Sequence, residues 1–195
     1  GFLRTLSMQA RTAPLAIYGP KPAKRLLEVM LSAGTEKLHF EVQINELKDG
    51  DVIKREGATI TAFQTEHRVN SLGYALAEAE RPGRFYPERA QALGVPYGPM
   101  YGELQRGRSV IVGERTIQPA EVLDVARPGR KLTCSGDTRP CAATIAAARA
   151  SDLLIHESTF SDNEQARANE TMHSTAREAG RVAREAGVKR LMLNH

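Results

Sequence analysis

The chain has 195 residues, 41 % of them hydrophobic and 26 % charged, with a formal net charge of +4. That length suits one domain with a sizeable core, and that balance excludes a disordered or fibrous chain. No apolar run nears the roughly 18 residues that span a bilayer, and GFLRTLSMQAR lacks the basic-then-apolar order of a secretory signal. Two cysteines, Cys134 and Cys141, are too few for a disulfide framework and read as reduced thiols of a cytoplasmic protein. The chain begins without Met and stops on His195 directly after an apolar run, so both ends are expected to be cut.

In chain order, the stretch 20–34 reads as a helix, with Pro22 near its start and Gly34 as its stop. LHFEVQINEL alternates apolar and polar residues as a half-buried strand does, and LKDGD turns the chain after it. ATITAFQT and LGYALAEA are further strands. From 81 to 107 the character changes to RPGRFYPERAQALGVPYGPMYGELQRG, with four prolines, five glycines and little periodicity. A long stretch of that kind is expected to be functional, an arm inserted in the domain and leaving its body. SVIVG and RKLTCSG read as strands, RPCAATIAAARA as a helix, DLLIHE as a buried strand, STAREAGRVAREAG as a helix and KRLMLNH as a last strand. Thr175 and Glu178 have capping-box spacing. The alternation of strand and helix in the second half predicts an α/β layered fold.

Charge is uneven along the chain. Residues 81–131 carry nine basic groups against five acidic ones, and the flanking stretches cancel at 18 of each. A basic segment attracts polyanions such as nucleic acid, although a solvated basic loop has the same composition.

The chemistry is concentrated where strands stop. ATITAFQT leads to Glu66 and His67, RKLTCSG to Asp137, DLLIHE ends on Glu157 and RLMLNH on His195. In open α/β sheets, ligands bind beyond the carboxyl ends of strands. His173 lies just before a helix start, a place that favours anions. Histidine and aspartate suit a divalent ion, and a pair of ions suits phosphodiester hydrolysis. Each residue also has a plainer reading: Asp137 as a helix cap, Glu157 as a strand-end carboxylate, His67, His173 and His195 as surface histidines. His39 and His156 are assigned to structure, the latter as a hydrogen-bonded core histidine.

The ordered runs CSGDTRP, LLIHESTF, MHSTAREAG and RLMLNH resemble the motifs of ribonuclease Z, a family of the metallo-β-lactamase fold. GFLRTLSMQARTAPLAIYGP, FQTEHRVNSLGYALAE and ALGVPYGPMYGELQRG are similar to other stretches of that family in the same order. The resemblance implies a partial αββα sandwich of two mixed sheets over residues 1–195, with the insertion at 81–107 as a substrate-binding arm. It implies an endoribonuclease that removes the 3′ trailer of precursor transfer RNA with two zinc ions per subunit, working as a homodimer. His67, Asp137 and His195 would be metal ligands, Asp137 bridging both ions. His173 would give a proton to the leaving 3′ oxygen or hold the scissile phosphate, with Glu157 oriented against it. Arg81, Arg84, Arg89, Gly98 and Pro99 would belong to the arm that meets RNA. The family's His-x-His-x-Asp-His signature is not in these 195 residues, so this stretch alone is expected to bind metal poorly and not to cleave. Two other readings stand beside this one: a hydrolase of small esters or phosphodiesters on the same fold, and a non-catalytic RNA-binding or pairing module.

Overall fold

The computed structural model describes residues 1–33 and 37–194. In chain order these form α1 (Phe2–Met8), β1 (Leu15–Pro20), α2 (Ala23–Ser32), β2 (Val42–Leu47), β3 (Val52–Arg55), β4 (Ala58–Gln64) and β5 (Leu72–Glu78). Next come α3 (Pro87–Ala92), α4 (Pro99–Gln105), β6 (Val110–Val112), β7 (Arg115–Ile117) and α5 (Pro119–Val122). Then follow β8 (Lys131–Cys134), α6 (Ala142–Ala148), β9 (Leu153–Glu157), a 3-10 turn at Asp162–Glu164, α7 (Gln165–Thr171), α8 (Ala176–Glu185) and β10 (Leu191–Asn194). Two compact units result, one from residues 1–77 with 131–195, the other Glu78–Arg130.

The first unit holds a six-stranded sheet in the order β10-β9-β8-β5-β4-β3 and a separate pair, β1-β2. The larger sheet is mixed. β8, β9 and β10 run parallel, while β5 is antiparallel to β8 and β3 to β4. Parallel neighbours need a crossover, and α6 and α8 supply it. Their alanines allow close approach: Ala148, Leu154, Val182, Ala183 and Ala186 form a buried cluster with Ile145, Val188 and Leu191 against it. α8 starts on a capping box in which Thr175 Oγ1 accepts from the Glu178 amide, and Glu178 Oε2 accepts from the Thr175 amide at 3.0 Å.

Several predicted boundaries move, for local reasons. The helix expected from residue 20 begins at Ala23, after Pro22, and Gly34 lies outside the described residues. The strand expected from Leu38 begins at Val42. Before it, the His39 amide donates to Ser7 Oγ and the Phe40 ring is buried beneath the Arg11 guanidinium at 5.6 Å. That backbone is spent on the region of α1 rather than on β pairing.

The second unit has a core of its own: Ala90, Val95, Leu104, Val110, Ile117 and Val122, with Phe85, Leu93, Met100 and Tyr101 packed on it. The stretch 81–107, read as lacking regular structure, contains α3 and α4. Each helix has proline in its first turn and is six or seven residues long, too short to print a 3.6 period. Where the chain enters and leaves this unit, Arg81 pairs with Arg127. The backbones there approach so closely that a Cβ on Gly83 would lie 1.9 Å from Asp124 O, and one on Gly129 2.0 Å from Glu78 O.

These bounds correct the charge reading. Residues 78–130 contain eight arginines and seven carboxylates, a net charge of +1. Arg81 and Arg130 pair with Glu78, Arg106 and Arg108 with Glu103, and Arg115 with Glu121. Among the described residues, Arg84 and Arg89 have no ion pair, and both guanidinium groups lie over the Tyr86 ring, at 5.2 and 4.1 Å.

Leu154 is 0 % exposed at the centre of its cluster, so Leu154→Ala should lower unfolding free energy by about 2–5 kcal/mol in denaturant titration. Leu193→Ala, at a site 47 % exposed, should change it by no more than about 0.5 kcal/mol.

Candidate functional site

Three chain segments leave the carboxyl ends of β4, β8 and β9, and a fourth precedes α8. They are joined around one carboxylate. Glu157, the last residue of β9, is 3 % exposed. Its Oε1 accepts from the Thr138 amide at 2.9 Å and from His173 Nδ1 at 2.7 Å. Its Oε2 accepts from the Thr159 hydroxyl at 2.7 Å and from the Thr159 and Ser174 amides at 3.1 Å. Burial pushes this carboxyl up, but the Thr159 hydroxyl and the three amides outweigh it and hold Glu157 below the usual glutamate range.

Thr138 extends the network to the segment after β4. Its Oγ1 accepts from the Glu66 amide at 3.1 Å, and the Arg139 amide donates to Glu66 O at 2.9 Å. Ser174 Oγ donates to Thr138 O at 2.7 Å. The residues carried on these joined loops therefore converge: ligand atoms of His67, Asp137 and His173 all lie within 4.8 Å of one another.

Both imidazoles are oriented from behind. His67 Nδ1 lies 3.1 Å from Met172 O, and a carbonyl can only accept, so this nitrogen carries the hydrogen. Met172 closes α7 in the left-handed region, at φ 59° and ψ 44°, an uncommon state for a side chain of that size, and its carbonyl is the one that meets His67. His173 Nδ1 donates to Glu157 in the same sense. In each ring Nε2 is left with the lone pair, the tautomer a metal-binding histidine takes when an acceptor fixes its other nitrogen. The two rings meet edge to face, with centroids 4.7 Å apart. Two imidazoles and a carboxylate are a donor set that fits zinc. Beside them opens a cleft of about 570 Å³ lined by His67, His173, Arg68, Thr159 and Phe160.

Of the residues singled out from the sequence, His67, Asp137, Glu157 and His173 thus come together, while His195 lies outside the described residues. Arg81, Arg84, Arg89, Gly98 and Pro99 belong to the second unit. There Arg81 is 2.9 Å from Glu78, Gly98 precedes α4 at φ 141°, and Pro99 opens that helix. His156 is 0 % exposed, with Nδ1 2.7 Å from Glu157 O and Nε2 buried without a hydrogen-bond partner among the described residues. Burial holds its imidazole below the usual histidine range. Thr138, Thr159 and Met172 were not anticipated. Thr159 had a signal, a hydroxyl two residues after a strand-end carboxylate; Met172 had none, because a carbonyl's aim depends on backbone angles.

No helix among the described residues is long and apolar enough to cross a membrane. No family model matches the chain. Curated proteins named ribonuclease Z do match it. Those of Myxococcus xanthus, Methanosarcina acetivorans and Gemmatimonas aurantiaca are 58 %, 47 % and 47 % identical over 196, 195 and 198 residues. Each alignment covers 100 % of this chain, and 64 %, 64 % and 63 % of the three relatives, so the chain spans a little under two thirds of their length. Among solved structures, the short form of human tRNase Z matches with a TM-score of 0.65 and 22 % identity, over 100 % of this chain and 65 % of that one. A metallo-β-lactamase fold protein of Bacillus subtilis matches with a TM-score of 0.56 and 19 % identity, over 93 % and 52 %. At those identities the structures speak for the fold alone, which is α/β and of metallo-β-lactamase type. The chain is thus similar over its whole length to proteins named ribonuclease Z, on a fold of metallo-β-lactamase type.

Proposed function

We propose that the protein removes the 3′ trailer from precursor transfer RNA, hydrolysing one phosphodiester to leave a 3′ hydroxyl on the transfer RNA and a 5′ phosphate on the trailer. The observation that carries this reading is the convergence of His67, Asp137 and His173 within 4.8 Å, with both imidazole Nδ1 atoms bound to acceptors. The relatives' name supplies the substrate.

In this reading His67, Asp137 and His195 would be among the residues that hold two zinc ions. When bound, such ions make water acidic enough to attack at neutral pH and neutralise charge on the attacking and leaving oxygens. His173 acts from the same side as a proton donor to the leaving 3′ oxygen, or as an anchor for the scissile phosphate. The Glu157 carboxylate on Nδ1 fixes the ring's direction for either role. Glu157 is thus a positioning residue. The unit Glu78–Arg130 serves as the RNA-holding arm, with Arg84 and Arg89 as its phosphate contacts. The protein works in the cytoplasm as a homodimer.

Zinc uptake, followed by competition with a chromogenic chelator, should weaken at least tenfold in His67→Ala and in Asp137→Asn, and should not change in His39→Ala. Equal uptake by all three would remove the metal site from this place. In the intact protein, His173→Ala should slow precursor cleavage by about 10²–10⁴-fold while RNA binding holds. Full cleavage activity in that variant would refute the assignment. Arg84→Ala combined with Arg89→Ala should weaken transfer RNA binding and flatten its dependence on salt by about two phosphate contacts. An unchanged salt slope would dismiss the arm.

A further inference from the structure

In the second unit an aromatic series leads from the buried core to the surface. The Phe85 ring packs against the core cluster, with Tyr101 centred 5.0 Å from it and Tyr97 5.6 Å from Tyr101. Tyr97 ends the series 92 % exposed. Pro96 precedes it in the chain, and Tyr101 Oη donates to Pro87 O at 3.4 Å. Next to Phe85 in the chain, Tyr86 lies under Arg84 and Arg89, two of the guanidinium groups that have no ion pair among the described residues. Tyr86 itself is tied down, its hydroxyl donating to Asp124 at 2.8 Å.

Single exposed apolar residues are ordinary. This one differs in being an aromatic ring propped edge-on by a second ring, in the same unit as Arg84 and Arg89, which have no ion pair among the described residues. A planar ring offered to solvent stacks on other planar rings, and unpaired guanidinium groups seek phosphate. RNA is the ligand that presents both together. We propose that Tyr97 is a stacking platform for an exposed nucleobase face of the RNA, so that this unit takes its substrate by base contact as well as by charge. This inference rests on the reading of the unit as an RNA-holding arm. It adds a contact that charge does not supply.

The test compares the parent chain, Tyr97→Ala, Tyr97→Phe and the Arg84→Ala/Arg89→Ala double variant against two probes. One is precursor transfer RNA and the other is heparin, a polyanion without bases. Tyr97→Ala should bind RNA roughly ten- to a hundredfold more weakly, with the same salt slope as the parent and unchanged heparin binding. Tyr97→Phe should stay within about twofold of the parent, since the π-face is kept. The arginine variant should lose both probes and flatten the salt slope. Tyr97→Ala binding RNA like the parent, while the arginine variant is weak, overturns the platform and leaves the arm standing. Tyr97→Phe as weak as Tyr97→Ala overturns stacking in favour of the hydroxyl. Heparin lost along with RNA in Tyr97→Ala overturns base contact. An arginine variant that binds RNA like the parent overturns the arm and the platform with it. Because Tyr97 is outside the core, all variants should melt with the parent, and a lowered melting temperature in Tyr97→Ala would count against a surface role.

Discussion

A buried carboxylate is tolerable only when its lone pairs are filled, and the local structure of the site follows from filling those of Glu157. Five hydrogen bonds reach its two oxygens, from Thr138, Thr159, His173 and Ser174. Removing such a group from water costs several kcal/mol unless it is compensated, so each donor must be where it is. The donors sit on the loop after β8, the loop after β9 and the approach to α8. Satisfying one side chain therefore locks three loops, and Thr138 locks the loop of His67 to them. The net effect on Glu157 is a lowered pKa. Its contribution to stability is accordingly present above the ordinary value of 4.5 and fades as pH falls through the folded value.

This arrangement sets the direction of both imidazoles. A histidine can bind a metal or move a proton through either nitrogen, and the choice is set by what the other nitrogen meets. Glu157 makes it for His173, and the Met172 carbonyl makes it for His67. One acceptor is a charge and the other a dipole.

The second unit follows another logic. Its 53-residue span, Glu78–Arg130, has its own apolar cluster and almost balanced charge. Pairing distinguishes its arginines more than net charge does: carboxylates quench five of the eight, and Arg84 and Arg89 lie against Tyr86. A count of charges over residues 81–131 overstates the excess, since it stops short of Glu78 and Glu80 and takes in Lys131.

Fold class and the grouping of His67, Asp137, Glu157 and His173 were legible in the chain, because they are written as local patterns: strands of apolar residues that stop at a histidine or carboxylate, and motifs of contiguous residues in order. Strand order, the fold of 81–107, the donors to Glu157 and the left-handed turn at Met172 were not. α3 and α4 are too short for periodicity and are held by the cluster around Leu104 and Ile117, contacts between residues far apart in sequence. The tautomers of His67 and His173 depend on acceptors 105 and 16 residues away. Residue types limit which hydrogen bonds can form, whereas only folding decides which donor arrives at which acceptor, since that depends on backbone angles summed over the whole intervening chain.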